Sequence, residues 1–155
     1  MRYVRRVLQP GETIVYSTKL HWIVYLWAIF LLIICLALAI AAWSQADKQN
    51  ISLALAIAAA IFALLALSSA FRAFIRRTTT ELAITDRRVI YKTGLIARHT
   101  VEMNRRQVES VDVNQSVPGR MIGYGTIIVR GTGGSLEPMR QIDSPLTFRN
   151  YITAG

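Results

Sequence analysis

Few side chains in this sequence could carry acid–base or nucleophilic chemistry, and they are scattered. His21 and His99 are its two histidines, and His99 falls in a predicted strand with no evident nucleophile beside it. The carboxylates Glu102, Glu109 and Asp112 match no recognisable acid–base arrangement. We therefore predict that the protein is not an enzyme and that it carries no cofactor.

Metal and nucleotide sites are not predicted either. Cys35 is the single cysteine of the chain, so no intramolecular disulfide can form, and no Cys/His spacing resembles a metal site. The run Gly131-Thr132-Gly133-Gly134 lacks the Gly-Lys-Ser/Thr of a phosphate-binding loop. Its glycines are more typical of a hairpin turn.

The charge of the chain points to an anionic partner. Lys and Arg number 18 against 9 Asp and Glu, which gives a formal charge of +9 and suits lipid headgroups or nucleic acid. Nucleic-acid binding is not expected, because aromatic residues are not interleaved with the basic ones in a stacking pattern. The candidate contacts to anionic lipid or an acidic partner are Arg72, Arg76, Arg77, Arg87, Arg88 and Lys92.

Two long uncharged intervals predict a transmembrane helical hairpin. No Asp, Glu, Lys or Arg occurs between Lys19 and Asp47, or between Lys48 and Arg72, and each interval exceeds the roughly 20 residues that span a bilayer core. A cleavable signal peptide is disfavoured, because the first run has full spanning length and a second follows at once. The predicted spans are about 22–43 and 51–70.

The residues around and within these spans suggest how the hairpin sits and packs. Aromatic residues favour the membrane interface, and the predicted anchors are Trp22, Tyr25, Trp27 and Trp43. Small residues four apart let helices approach closely in lipid; the pairs Ala56/Ala60 and Ala59/Ala63 could face the first helix or a neighbouring subunit. The absence of charged residues inside the spans argues against a pump or proton-coupled transporter. The excess of Lys and Arg at the outer ends places both termini in the cytoplasm.

From residue 78 onward, short β-type runs alternate with turn residues. Six antiparallel strands followed by one helix predict a bent sheet or small barrel closed by a terminal helix. The strands are expected near 82–84, 89–91, 98–103, 108–115, 126–130 and 136–142. The helix should start at Pro145, with Ser144 or Asp143 as N-cap, and bury Leu146, Phe148 or Tyr151, and Ile152.

A further β-type run, 13–18, precedes the first apolar stretch. Its alternation puts Ile14, Tyr16 and Thr18 on one face and Val15 on the other. The run could pair with the later strands or lie along the membrane surface.

Several ordered segments resemble the bacterial pleckstrin-homology (PH)-like domains. They are Thr85-Asp86-Arg87-Arg88-Val89-Ile90-Tyr91-Lys92-Thr93-Gly94, Val108-Glu109-Ser110-Val111, Gly119-Arg120-Met121-Ile122-Gly123-Tyr124-Gly125-Thr126 and Asp143-Ser144-Pro145-Leu146-Thr147-Phe148. The chain is similar to the membrane-anchored branch, in which one or two transmembrane helices precede the domain, and the Gly11-Glu12 and His21 region resembles its pre-membrane segment.

The resemblance implies a PH-like split barrel with a C-terminal capping helix. It also implies frequent homo-oligomerisation and roles in organising membrane-associated processes. The spacing of Arg87, Arg88 and Lys92 departs from the Lys/Arg pattern with which eukaryotic PH domains grip inositol phosphates. Specific phosphoinositide binding is therefore not expected.

Together these features predict an α+β membrane protein with three parts: a cytoplasmic segment 1–20 with a short strand, a transmembrane hairpin 21–77 and a PH-like domain 78–155. The expected function is a non-enzymatic binding or scaffolding module in the bacterial inner membrane. It would face the cytoplasm, self-assemble, and engage anionic lipid or a protein partner. The alternative is an accessory subunit of a membrane enzyme or transporter complex.

Overall fold

A computed structural model describes residues 3–95, 97, 99–132, 134–135 and 138–154. It is a mixed α+β structure with two antiparallel sheets and several helices. The chain divides into two compact units. We call Val24–Ile75 the helix unit, and Met1–Ile23 together with Arg76–Gly155 the sheet unit.

The helix unit is built from two long apolar helices. A 3-10 turn, Trp22–Tyr25, leads into α2, Leu26–Ser44, and α3 covers Gln49–Thr79. Both helices are long and apolar enough to cross a membrane, judged by length and composition. Helix α3 continues well past the predicted end of the span at residue 70, because no Gly or Pro occurs to end it before Gly94.

The first sheet of the sheet unit has the order β1-β2-β3-β4. Its strands are Ile14–Thr18, Glu81–Thr85, Arg88–Thr93 and His99–Asn104. Strand β1 precedes both apolar helices in the chain, yet it pairs antiparallel with β2, which follows them. Of the two alternatives that the sequence left open for this strand, the structure shows pairing with the later strands.

A bulge divides β1 between the two faces of this sheet. The register shifts between Ile14 and Tyr16, so that Val15 is the extra residue. Tyr16 packs against the main core, whereas Ile14 packs with Ala83 and Ile90 on the opposite face. The prediction that Ile14 and Tyr16 share a face is therefore wrong, because a bulge breaks the two-residue alternation.

The second sheet is centred on β6, which pairs with its other three strands. The strands are β5 Val108–Asn114, β6 Tyr124–Gly131, β7 Gly134–Ser135 and β8 Met139–Asp143. Strands β6 and β7 pair antiparallel with Gly131 opposite Gly134, as expected of the hairpin turn predicted at these glycines. Two predicted strands, 98–103 and 136–142, begin at residues that lie outside the described ones, namely residue 98 and residues 136 and 137.

Helix α5, Pro145–Thr153, covers the main core. It begins at Pro145 as predicted. Phe148 and Ile152 lie one turn apart and are buried, whereas Leu146 and Tyr151 are 47% and 40% exposed, so the expected burial of Leu146 is wrong. The buried residues that complete the core are Leu82, Ile84, Val89, Ile127, Val129, Met139 and Ile142.

The outer face of the first sheet is covered by the N-terminal segment, which the sequence did not predict to be ordered. This segment includes one helical turn, α1, Val4–Val7. Val4 is fully buried against Ala83 and Ile90, and its backbone N–H donates to a carboxylate oxygen of Glu81 at 3.1 Å. The N-terminal segment therefore belongs to the sheet unit.

The sheet unit has two distinct ends. Its connected end, where the chain leaves toward α2 and returns from α3, comprises Lys19–Trp22, Arg76–Thr80, the short helix α4 (Val117–Ile122), Gly123 and Asp143–Ser144. Backbone hydrogen bonds join three of these segments: Asp143 N–H donates to Lys19 O at 3.1 Å, and Ser144 N–H donates to Gly123 O at 2.9 Å. Residues 76–80 lie at the same end because they lead into β2, whose Leu82 pairs with Thr18 at the end of β1. The distal end comprises the β2–β3 turn, Asp86–Arg87, and the 3-10 turn Arg105–Gln107. The five-residue strand β2 separates the two ends by about 17 Å.

Candidate binding surface

Arg88 forms ion pairs and hydrogen bonds within the sheet unit. Its Nη2 and Nε lie 2.8 and 2.9 Å from the carboxylate oxygens of Glu12, Nη1 lies 2.7 Å from Glu102, and Nη2 also donates to Val7 O. The Glu12 side chain is fully buried. Burial by itself raises the pKa of Glu12, but hydrogen bonds from Arg88, the Gln9 N–H and Thr85 lower it to about 2. This ion pair ties the N-terminal segment to β3.

Lys92 is also turned inward. It is 8% exposed, and its ammonium donates to the carbonyl oxygen of Thr79, the last residue of α3, at 2.9 Å. The same nitrogen lies 5.8 Å from the centroid of the Tyr3 ring. A cation on a terminal helix carbonyl compensates the negative end of the helix dipole, so Lys92 supports the end of α3.

Arg87 lies at the distal end. It is 4.0 Å from Asp86 in an exposed ion pair, and its Nη1 lies 3.4 Å from Gln9 Oε1. An open cavity of about 480 Å³ at this end is lined by Asp86, Arg87, Asn104, Arg105 and Arg106. Arg105 stabilises the end of α5, because its Nη2 donates at 2.7 Å to the carbonyl oxygen of Tyr151 in the last turn of that helix.

The three arginines of α3 differ in surroundings. Arg72 is exposed and belongs to the helix unit. Arg76 and Arg77 belong to the sheet unit, where Arg76 is exposed and Arg77 is half-buried. Within the sheet unit, Arg87 thus lies at the distal end, Arg88 and Lys92 have internal partners, and Arg76 and Arg77 lie at the connected end, whereas Arg72 belongs to the helix unit. Contact of any of them with lipid stays a prediction.

The connected end contains an open cavity of about 730 Å³. Three cations, Arg5, Lys19 and Arg77, and the carboxylate of Asp143 are among its described lining residues. Ser17 adds a hydroxyl group and Trp22 adds an aromatic wall, whereas the Thr18 hydroxyl already donates to Asp143 O at 3.0 Å. Converging cations with hydroxyl donors are the groups that bind phosphate oxygens, so this cavity can receive an anionic headgroup.

Aromatic rings build one wall of this cavity. His21 is 7% exposed, its Nδ1 accepts from the Ile23 N–H, and its ring lies 5.4 Å from Trp22 and 5.6 Å from Tyr124. Nearby, burial and then the Asp143 carboxylate raise the pKa of Tyr16, which keeps its hydroxyl protonated. The wall is therefore aromatic, and the cations supply the positive charge of the cavity.

The predicted interface anchors occupy both units. Trp22, in the sheet unit, is 44% exposed. In the helix unit, Trp27 and Trp43 are 63% and 87% exposed, and Tyr25 is half-buried. Such exposure suits residues that face a lipid interface, but contact with lipid stays a prediction.

The alanine pairs fall on different sides of α3. Ala59 is buried, and its carbonyl oxygen accepts from the Cys35 thiol of α2 at 3.3 Å. Ala56, Ala60 and Ala63 are exposed in the single chain. Ala59 therefore faces the first helix, and the other three leave a small-residue surface uncovered.

Sequence reasoning did not name Arg5 and Lys19 as ligand contacts. The position of Lys19, immediately before an aromatic-rich apolar run, was a usable signal. Arg5 gave none, because the fold of the N-terminal segment brings it to the cavity. Among the described residues, no group of three His, Cys, Asp or Glu side chains could hold a metal ion.

The family model described as bacterial PH domain matches residues 13–155, which include β1, both apolar helices and residues 76–155 of the sheet unit. No curated protein matches, and no solved structure matches.

Proposed function

Since the chain belongs to the bacterial PH domain family, we propose that it is a non-enzymatic, membrane-anchored binding module with a PH-like sheet unit. Its two apolar helices cross the inner membrane as a hairpin, both termini are cytoplasmic, and the connected end of the sheet unit engages anionic lipid headgroups. The observation that carries this proposal is the convergence of Arg5, Lys19 and Arg77 on one cavity, at the end where the chain leaves for and returns from the apolar helices.

The dimensions of the helices support the anchoring. At 1.5 Å per residue, the 23-residue segment Trp22–Ser44 and the 31-residue α3 are about 35 and 46 Å long, against a hydrocarbon core of about 30 Å. Large apolar side chains are exposed along both, including Leu32 at 50%, Ile40 at 69% and Leu64 at 69%. A continuous apolar surface of this kind is unfavourable in water and favourable in lipid.

The charges support a headgroup site at the connected end. Basic residues next to an anionic leaflet each contribute about 1 kcal/mol of attraction. Lys19 lies three residues before Trp22, and Arg76 and Arg77 lie in the last turn of α3, so these cations are the sheet-unit charges closest in sequence to the proposed spans. Arg87, by contrast, lies at the distal end, where it lines the other cavity described above.

Lipid selectivity at Trp22 tests the headgroup site. In a Trp27→Phe, Trp43→Phe background, the full chain in nanodiscs retains Trp22 as its one tryptophan. We expect brominated phosphatidylglycerol to quench Trp22 more strongly than brominated phosphatidylcholine. Lys19→Glu with Arg77→Glu should abolish this preference, whereas the charge-matched pair Arg87→Glu with Arg106→Glu should leave it intact. Equal quenching by the two lipids would count against the site.

Thiol labelling tests the topology. In a Cys35→Ala background, single cysteines at Ala46, in the turn between α2 and α3, and at Arg106, at the distal end, report on opposite sides of the proposed membrane. In right-side-out vesicles an impermeant maleimide should label position 46 and spare position 106. Labelling of both positions in sealed vesicles would contradict the hairpin.

Self-assembly is proposed from the uncovered alanines of α3. A second copy could pack against Ala56, Ala60 and Ala63, because small side chains let helix backbones approach closely in lipid. Self-association would also multiply weak headgroup contacts. Mass measurement in mild detergent should give an oligomer, and Ala60→Leu should shift it toward the monomer. A monomeric wild-type chain would remove this part of the proposal.

A further inference from the structure

Helix α4 presents an apolar surface at the connected end. Val117 is 77%, Met121 83% and Ile122 43% exposed. Val117 and Met121 are four residues apart and therefore lie on the same side of the helix. Arg120, between the apolar residues, is also exposed.

The opposite side of α4 is held tightly against β6. A Cβ atom on Gly119 would lie 2.8 Å from the carbonyl oxygen of Tyr124, so the helix backbone approaches the strand as closely as glycine allows. Ser116 caps the helix start by accepting from the Gly119 N–H at 3.2 Å. Gly123 ends it with φ of 88°, a left-handed conformation that glycine favours. The outward direction of Val117 and Met121 is therefore built into the fold.

Contacts within the sheet unit place α4 beside the points where the chain leaves for the apolar helices. Gly123 O accepts from the Ser144 N–H at 2.9 Å, and the preceding residue, Asp143, donates to Lys19 O. The ring of Tyr124 lies 5.6 Å from His21, which immediately precedes Trp22. A partly exposed tryptophan and an exposed apolar helix thus share one end with Lys19 and Arg77.

We infer that α4 is an interfacial membrane contact, with Val117, Met121 and Ile122 inserted among the lipids and Arg120 at headgroup level. This inference rests on the proposed membrane anchoring. The occupant is a lipid surface because exposed apolar residues stand on both sides of a cation in this helix, and apolar side chains combined with basic ones are typical of elements that lie in an anionic interface. A protein partner would have to reach the same end of the sheet unit that the chain itself connects to the apolar helices.

Spin labels on single cysteines test the inference in full-length protein. In a Cys35→Ala background reconstituted into nanodiscs with phosphatidylglycerol, labels are placed at Met121 and separately at Val117. A label at Leu32 of α2 reports the spanning helix, and one at Arg106 reports the distal end. Collisions with oxygen, which is concentrated in lipid, and with a water-soluble nickel chelate are measured at each position.

We expect labels at positions 121 and 117 to collide more often with oxygen and less often with the nickel chelate than the label at 106 does. Arg120→Glu should reduce that difference, and Arg106→Glu, measured with the 121 label, should not. If the nickel chelate reaches labels at positions 121 and 117 as readily as the label at 106, while the label at 32 lies in lipid, the α4 contact is overturned and the anchoring stays intact. Low access to both reagents at 121 and 117 indicates a protein or second copy on α4, and also overturns it. A water-exposed label at 32 refutes the anchoring, and the inference with it.

Discussion

Arg88 Nη2 and Glu12 Oε2 lie 2.8 Å apart, although the two residues are 76 positions apart in the chain and both apolar helices lie between them. This contact joins the N-terminal segment to β3. The sheet unit is thus assembled from two pieces of chain, one before and one after the helices.

Neutralising Glu12 should destabilise the sheet unit. Glu12→Gln keeps the shape but removes the charge that faces Arg88 in a buried pair, and such losses cost about 3 kcal/mol. Thermal unfolding of the full chain in mild detergent, followed by near-ultraviolet circular dichroism, should show a lowered Tm. The matched control is Asp112→Asn, which breaks the exposed pair of Asp112 and Arg130 at 3.0 Å and should cost under about 1 kcal/mol. Equal effects of the two variants would contradict the prediction.

Acid should remove the contribution of Glu12. Its pKa is lowered from 4.5 to about 2 in the folded protein, so the stabilisation is present above pH 4.5 and is lost as the pH falls toward 2. The difference corresponds to up to about 3 kcal/mol. Glu81 acts in the same direction: burial raises its pKa, but the N–H groups of Val4 and Tyr3 lower it overall.

The test is a pH series of Tm for the wild type and Glu12→Gln. The advantage of the wild type should be constant from pH 7 to 5 and shrink between pH 4.5 and 2. An advantage that persists unchanged at pH 2 would show that the carboxylate charge is not its source.

A fragment that starts at residue 78 should not fold by itself. It lacks β1, so the pairing edge of β2 and the core residues Leu82 and Ile84 lose the cover of Tyr16. A chain in which residues 1–23 are joined to 76–155 by a flexible Gly/Ser linker should fold. Dispersed NMR amide spectra distinguish the two products. A well-dispersed spectrum from 78–155 alone would contradict the two-piece architecture.

Phe148 should be the most sensitive position of α5. It is fully buried, with Tyr16 in edge contact at 6.2 Å, and its replacement by Ala should cost about 3–5 kcal/mol. Leu146, in the same helix but 47% exposed, is the control, and Leu146→Ala should change stability by under about 0.5 kcal/mol. Denaturant unfolding of the linked sheet unit measures both. A small effect of Phe148→Ala would mean that α5 does not close the core.

Features that depend on local sequence were predicted well. The apolar helices, most of the strands and the start of α5 at Pro145 follow from hydropathy, two-residue alternation and turn residues. Local alternation failed at Val15, because a bulge inserts an extra residue that no period signals. It also failed to predict α4, whose six residues are too few to show a helical period.

The candidate site was predicted less well, because it too depends on contacts between residues far apart in the chain. Basic residues were chosen by type and by position along the chain, which cannot distinguish a cation with an internal partner from one that lines a cavity. Arg88 and Lys92 have internal partners, Glu12 and the Thr79 carbonyl. Arg5 reaches the cavity through the fold of the N-terminal segment.

By itself, the sequence determined two long apolar helices, a basic set of short strands and a terminal helix, because these properties arise from neighbouring residues. The tertiary structure alone decided that β1 completes the sheet across the apolar helices. It alone brought Arg5, Lys19 and Arg77 to one cavity and directed Met121 of α4 outward. These outcomes depend on pairings between residues far apart in the chain. Burial and hydrogen bonding in the folded protein select such pairings, and no local sequence pattern predicts them.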